Sequence, residues 1–277
     1  MTLHIQTITP NHLVYVSDRL INTPAGYLEL ADDRNKHLIL LCDDAQVVAS
    51  FAGIAGIPKG SDLKDSTIDW LTDVFQTTSQ KAHGIDDHLY HLGRQVQPHI
   101  DGLKRQYKLD SNMLRLAIQI SGWIGDIQFS CVIDNYLYQS CRAGPFRSTF
   151  IRRCRTYQKD EFGDGSCIFI IGREYLGDKF NEHVDKLSNV ARHDDPKKIF
   201  QTSVSIIRAA AANSSGQVGY NCSGVRISRN DPHTEVYDDR DESVFNSVMP
   251  NIVVSTSRVS MSTRNMRGKQ KKKEEKK

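Results

Sequence analysis

The order of strand-like and helix-like segments restricts the fold of this 277-residue chain more than any other feature of its sequence. Three short β-branched or aliphatic runs near the N-terminus predict strands, and the turn Asp43-Asp44 joins the last two as a hairpin. Two helical segments, four strands, two more helices and two final strands follow. Because helix pairs separate blocks of strands, this order argues against the strict alternation of a doubly wound sheet. The sequence predicts an α+β fold in which two sheets lie between outer helices.

Hydrophobic periodicity and turn residues give approximate bounds for these elements. The predicted strands are 12–16, 36–41, 46–52, 114–120, 129–137, 149–157, 167–171, 221–227 and 234–237. The predicted helices are 66–75, 87–105, 176–191 and 196–213. Ser66 and Asp69 form a capping-box pattern, and Asp195 before Pro196 is typical of a helix start. We expect Pro98 to kink or divide the second helix.

Composition places the chain among ordinary globular proteins. Hydrophobic residues make up 39% of it, which argues against a wholly disordered or fibrous chain. Its six cysteines form no CxxC pair, a pattern that fits reduced, buried thiols in a cytoplasmic protein. The longest apolar-rich run, 47–57, is about half of the ~20 residues that a membrane-spanning helix needs. We therefore expect neither a membrane anchor nor a secretory signal.

The basic charge is concentrated at the C-terminal end. Residues 264–277 contain eight Lys or Arg and two Glu, a local charge of +6, so the rest of the chain carries 3 − 6 = −3. We predict a single domain over 1–250 and a flexible basic tail over 251–277. Arginines between Phe146 and Arg155 and the lysine-rich tail could contact nucleic acid, but an exposed strand and a solubilising tail explain them as well, so a nucleic-acid partner is disfavoured.

The second residue indicates a possible chemistry. Because Thr2 is small, a methionine aminopeptidase can remove Met1 and leave a threonine with both a hydroxyl and a free amine. An α-amine has a pKa of about 7.7 to 8.0, so it can accept the hydroxyl proton directly or through a water molecule. One residue could then supply both nucleophile and base.

Four features in one order resemble the β-type subunits of the proteasome core, in the N-terminal nucleophile (Ntn) hydrolase superfamily. Thr2 begins an alternating strand, and Asp18 follows sixteen residues later. Asn35-Lys36 opens another strand, and the run 47–55 contains the turn Ala52-Gly53. The motifs cover about residues 2–57, and the order of elements extends the resemblance to about residue 237.

The resemblance implies a four-layer αββα sandwich and amide-bond hydrolysis. Thr2 would be the nucleophile, and the Gly53 N–H would donate to the oxyanion. Lys36 would favour the uncharged amine, and Asp18 would hold Lys36 in place. The substrate would be a peptide or another amide, with no cofactor or metal. The family also implies a homo-oligomeric ring, for which an unfolding ATPase is a conceivable partner.

The sequence also departs from the family pattern. Arg173 stands where the family carries a serine after Gly172, and the turn Asn213-Ser214-Ser215 lacks the family's aspartate. Two alternatives therefore stay open: a small-amide acylase of the same superfamily, and a catalytically inactive structural or interaction subunit.

Three histidines, His88, His91 and His99, raise the question of a metal site, because the first two are three residues apart on a helix. Without a carboxylate set or an HExxH pattern, we interpret them as polar residues of a helix surface.

Overall fold

In the part of the chain that the structure describes, the fold contains two main sheets and four α-helices. The structure is a computed structural model that describes residues 3–22, 29–31, 36–59, 62–110, 113–136, 146–157, 166–172, 175–229, 231–238 and 250–256. The strands are β1 (His4–Ile8), β2 (His12–Asp18), β3 (Ile21–Asn22), β4 (Glu29–Ala31), β5 (His37–Cys42), β6 (Ala45–Gly53), β7 (Ile57–Lys59), β8 (Asp62–Lys64), β9 (Leu116–Ile124), β10 (Ile127–Tyr136), β11 (Phe146–Tyr157), β12 (Cys167–Ile171), β13 (Cys222–Ser228), β14 (Asp231–Asp238) and β15 (Asn251–Ser255). The helices are α1 (Thr67–Ser79), α2 (Ile85–Tyr107), α3 (Phe180–Ala191) and α4 (Pro196–Asn213).

The two main sheets differ in how their strands pair. Sheet A has the order β12-β1-β2-β13-β14, and all of its neighbouring strands are antiparallel. Sheet B has the order β11-β10-β9-β6-β5-β15, and only its edge strand β15 is parallel to its neighbour. The predicted hairpin is confirmed, because β5 and β6 pair antiparallel on either side of Asp43-Asp44.

Three apolar clusters show which elements pack together. One joins α1 and α2 to sheet B, with Leu71, Phe75 and Leu92 among its helical members. A second joins α3 and α4 to sheet A. The third contains side chains from both sheets, among them Tyr15 and Trp123. These contacts are consistent with an αββα sandwich.

The space between the sheets is not apolar throughout. Beyond the third cluster, buried polar side chains from one sheet contact those of the other, as in the hydrogen bond from Gln119 of β9 to Gln6 of β1. A second such link joins Ser17 of β2 to His37 of β5. This second link lies where β2 ends and β5 begins.

Two helix predictions need correction. Pro98 lies inside α2 without dividing it, and the helix continues to Tyr107. Ser66 does precede α1, but its side chain makes no capping hydrogen bond. Instead, the hydroxyl of Thr67 donates to the Ile54 carbonyl at 2.6 Å, which anchors the start of α1 to the chain after β6. At α4 the expected cap is confirmed, because the Asp195 carboxylate accepts from the N–H groups of the second and third helical residues.

The boundary of the predicted tail is also wrong. Residues 251–255 form β15, in which Val253 packs into the core between sheet B and its helices. Its pairing partner β5 lies more than 200 residues earlier in the chain, so local composition did not indicate this strand. Residues 257–277, which carry most of the predicted tail, lie outside the described residues.

One cysteine does not fit the expectation of six reduced thiols. Cys131 of β10 is disulfide-bonded and buried. The residue directly opposite it on β11 is Cys154, a neighbour that antiparallel pairing creates and that sequence spacing does not reveal. Among the residues that the structure describes, Cys42, Cys167 and Cys222 are thiols that form no disulfide.

Candidate active site

The centre of the site is a buried ion pair between the two main sheets. Asp18 is the last residue of β2, and Lys36 directly precedes β5. The Lys36 ammonium lies 3.4 Å from Asp18 Oδ1, and the two side chains are only 1% and 0% exposed. The same ammonium donates to the Leu20 carbonyl at 2.8 Å. Two of the four residues predicted from the sequence are therefore brought together.

Backbone N–H groups complete the environment of the Asp18 carboxylate. Leu3 donates to Oδ1 at 2.9 Å, and Gly219 donates to Oδ2 at 3.2 Å. Burial raises the pKa of Asp18, while the Lys36 ammonium and these two N–H donors act in the opposite direction. The carboxylate is thus bound by a cation and by two distant backbone segments, one directly after Thr2 and one after α4.

Thr2 itself lies outside the described residues, as do Met1 and Arg173. The first described residue is Leu3, whose side chain is buried against α3 and α4. Its backbone pairs with the end of β2, because the Asp18 N–H donates to the Leu3 carbonyl at 3.2 Å. The start of β1 is therefore attached to the same residue that binds Lys36.

Gly53 is the last residue of β6, at the end of sheet B where the antiparallel neighbour β5 begins. Its φ of +109° is in the region that only glycine adopts easily. A Cβ at this position would lie 2.0 Å from the Arg115 carbonyl oxygen, so the close approach of β9 also requires glycine. The next residue, Ile54, donates its N–H to the same carbonyl at 2.7 Å.

The turn after α4 reaches the site differently from what its sequence suggested. Ser214 closes the turn itself, because its hydroxyl donates to the Ala211 carbonyl at 3.2 Å and accepts from Val218 N–H at 3.0 Å. The group that contacts the ion pair is the backbone N–H of Gly219. Sequence reasoning did not identify this glycine, because a backbone donor leaves no side-chain signal.

A second set of polar residues, also missed, lies beside the ion pair. His37 Nε2 is 3.1 Å from the Ser17 hydroxyl and 3.4 Å from the Ser223 carbonyl oxygen, and all three residues are buried. The ring of His4 lies 6.0 Å from that of His37 and 4.8 Å from that of Tyr15. Their positions in sequence were a usable signal, since His37 directly follows Lys36.

Both buried imidazoles favour the neutral form. Burial is the main cause that lowers the pKa of His37 to about 4. Burial also holds the pKa of His4 well below its ordinary value, and the charges of His37 and Lys36 lower it further. At neutral pH the Lys36 ammonium therefore has two uncharged imidazoles nearby.

The three helix histidines make separate contacts. His88 Nε2 is 2.8 Å from the Ser255 hydroxyl, so it joins α2 to β15. His99 stacks on Trp70 of α1 at 4.2 Å between ring centroids, and His91 packs edge-on against Tyr90. His88 is fully buried, so the interpretation as helix-surface polarity is wrong for this residue.

Comparisons with solved structures place the fold. The chain is similar to Anbu, described as an ancestral β-subunit, from Yersinia bercovieri, with 14% identity, a TM-score of 0.54, and coverage of 89% of this chain and 91% of that one. An Anbu Gly-1 mutant from Hyphomicrobium sp. strain MC1 aligns with 15% identity, a TM-score of 0.46 and coverage of 89% and 92%. BPH of Thiobacillus denitrificans in complex with epoxomicin aligns with 12% identity, a TM-score of 0.43 and coverage of 83% and 100%.

Of these three structures, the Yersinia protein aligns with a TM-score above 0.5, and this likeness shows that the chain shares its fold. No protein-family model and no curated protein sequence matches the chain. Within the described residues, no helix is both long and apolar enough to cross a bilayer.

Proposed function

We propose that this chain is an N-terminal-threonine amide hydrolase with the four-layer αββα sandwich of the Ntn superfamily. In this proposal Met1 is removed and Thr2 becomes the nucleophile. Asp18, Lys36 and Gly53 keep the roles that the resemblance implies. Peptide bonds are the first substrate class to test.

The observation that carries the proposal is the sharing of one carboxylate oxygen. Asp18 Oδ1 accepts from the Leu3 N–H and lies 3.4 Å from the Lys36 ammonium. Leu3 is covalently bonded to Thr2, and that peptide bond is only about 1.33 Å long. An N-terminal threonine would therefore be bonded directly to the residue whose N–H shares this oxygen with the buried Lys36 ammonium.

The proposed reaction uses the hydroxyl and the amine of Thr2 together with the charge of Lys36. The Thr2 hydroxyl would transfer its proton to its own amine and attack the substrate carbonyl carbon, forming a C–O bond. The proton would then pass to the leaving nitrogen as the C–N bond breaks, and water would hydrolyse the resulting ester. The Lys36 charge disfavours protonation of the nearby amine, which keeps it available as a base.

Gly53 would stabilise the oxyanion through its N–H. Loss of one such donor typically raises the barrier by about 2.7 to 4 kcal/mol. Gly53 ends β6 and Lys36 directly precedes the neighbouring strand β5, so both residues lie at the same end of sheet B, which supports this assignment. The left-handed backbone at Gly53 excludes a side chain that could block the approach of a carbonyl.

The proposed assembly rests on the resemblance alone, and the proposed location rests on the cysteine pattern of the sequence. We propose a cytoplasmic homo-oligomeric ring that encloses its sites, with an unfolding ATPase as a partner to be tested. The disulfide at Cys131 would favour a more oxidising compartment, so the redox state of that cysteine in the purified protein bears on the location.

The experiment is intact-mass analysis after incubation with a peptide epoxyketone, whose ring closure needs both a threonine hydroxyl and a free amine. We expect one adduct on a chain that lacks Met1. Thr2→Ala should still lose Met1 but form no adduct. Thr2→Ser should lose Met1 and still form the adduct, because serine also supplies a hydroxyl and a free amine. A chain that keeps Met1 and forms no adduct would support the inactive structural subunit instead. Hydrolysis of amides but not of casein would support the acylase.

A further inference from the structure

Two side-by-side links join the ends of β2 and β5. The first is the ion pair of Lys36 with Asp18. The second joins the adjacent residues, because His37 Nε2 lies 3.1 Å from the Ser17 hydroxyl. Alternate residues of a strand share a face, so Ser17 and His37 lie on the faces of β2 and β5 that carry Tyr15 and Ile39 of the third cluster, between the sheets.

The second link is closely surrounded. His37 reaches from sheet B to two strands of sheet A, because Nε2 is also 3.4 Å from the Ser223 carbonyl oxygen on β13. A carbonyl can only accept, so this contact favours the tautomer with the hydrogen on Nε2. The rings of His4 and Tyr15, each 6.0 Å from that of His37, restrict its rotation. None of these four residues is more than 1% exposed, with Ser223 at 1%.

A neutral imidazole suits this position. A permanent cation at residue 37 would place a second positive charge next to Lys36, whereas the ion pair contains a single carboxylate, that of Asp18. An apolar residue would leave the Ser17 hydroxyl without this contact between the sheets. His37 supplies a hydrogen bond between the sheets and adds no charge at neutral pH.

We propose that His37, held by Ser17, is a positioning residue that keeps the Lys36 ammonium against Asp18 and thereby in place beside the N-terminus. Its catalytic consequence rests on the proposed function, whereas its effect on Lys36 does not. His37 acts through the backbone of the start of β5, which it attaches to the end of β2. Lys36 is the next residue along that backbone.

Two readouts on the full chain test the proposal. The first is the acetylation rate of Lys36 by acetic anhydride, measured by peptide mass spectrometry, with the 66% exposed Lys198 as internal standard. The second is the kcat and KM of peptide hydrolysis, together with the rate of epoxyketone adduct formation. The first readout does not depend on activity, so it decides the positioning role even if Thr2 proves inert.

The variants separate positioning from general packing. Ser17→Ala and His37→Phe remove the link, whereas His37→Gln keeps a neutral donor near the position of Nε2. Ser223→Ala is the matched control, because it removes an equally buried hydroxyl from the cross-strand neighbour of Ser17 while the contact with His37 uses the backbone carbonyl.

We expect Ser17→Ala and His37→Phe to raise Lys36 acetylation about fivefold, the factor equivalent to one net hydrogen bond of about 1 kcal/mol. They should lower kcat and the adduct rate by a similar factor with KM unchanged. His37→Gln and Ser223→Ala should stay within about twofold of the wild type. The proposal would be overturned if Ser17→Ala and Ser223→Ala changed the Lys36 acetylation rate equally. It would also be overturned if Ser17→Ala and His37→Phe both left that rate unchanged. An unreactive wild type with the expected acetylation pattern would refute the proposed function alone.

Discussion

Replacement of Lys36 by methionine tests whether the buried ion pair is ionised in the folded protein. The two charges lie 3.4 Å apart and are almost completely buried. At an effective dielectric constant of about 20 their attraction is about 5 kcal/mol, and desolvation offsets part of it. Removal of one partner from a buried pair typically costs 3 to 5 kcal/mol. We expect about 3 kcal/mol at pH 8, because Asp18 keeps its two backbone N–H donors.

The pH dependence of this loss is the more specific result. Lys36 is the strongest influence that lowers the pKa of Asp18, so Lys36→Met should raise that pKa further. An acid whose folded pKa lies above its unfolded value gains stability as the pH falls towards the unfolded value. The removed Lys36 charge also lowered the pKa of His4 and His37, and its loss acts in the same direction. The difference between variant and wild type should therefore shrink between pH 8 and pH 5.5.

Urea denaturation at several pH values provides the measurement, with the free energy of unfolding taken at each pH. Lys198→Met is the matched control, because Lys198 forms a 3.5 Å pair with Asp195 but is 66% exposed. Such surface pairs contribute about 0 to 1 kcal/mol. A Lys36→Met loss no larger than that of the control, or a loss that stays constant over the pH range, would refute the reasoning.

Two further predictions concern the fold around the site. Gly53→Ala should destabilise the protein by more than about 1 kcal/mol and abolish activity, since its Cβ would lie 2.0 Å from the Arg115 carbonyl oxygen. Gly102→Ala is the control: this α2 residue has open space around it, so the change should stabilise the protein by about 0.5 to 1 kcal/mol. Thermal unfolding of both variants measures these effects. Because the pKa of His37 is lowered to about 4, its contribution to stability is present above pH 6.5 and is lost on acidification. Because of His37, the free energy of unfolding should fall by about 2 kcal/mol between pH 7.5 and pH 5. In urea denaturation at several pH values, His37→Gln should make this fall smaller.

The sequence predicted the elements better than their partners. Strand and helix periodicity located the four helices and most strands to within a few residues, and the Asp195 cap was confirmed. The strand β15 was missed because its pairing partner lies far away in the sequence, and of the two outcomes expected at Pro98, division of the helix is wrong. Pro98 is accommodated within a long amphipathic helix, and Val253 is stabilised by a core whose other members lie far away in sequence.

For the candidate site, the motif spacing brought Asp18 and Lys36 to attention, and the structure places them in one ion pair. The expectation for Thr2 is not tested, since that residue lies outside the described part of the chain. Gly219 and the link between His37 and Ser17 were not foreseen. A backbone donor has no residue-type signature, and a polar contact between two sheets depends on how the sheets are aligned.

By itself, the sequence determined the order of strands and helices, the absence of a strict βαβ pattern, and a set of residue types suited to N-terminal nucleophile chemistry. The strands and helices depend on side chains within a few residues of one another, so periodicity reports them directly, and the residue types can be identified from the sequence one at a time. Only the tertiary structure decided that Leu3, Gly219 and Lys36 meet at one carboxylate and that Cys131 faces Cys154. Those contacts depend on strand register and on the packing of two sheets, which many distant residues determine together.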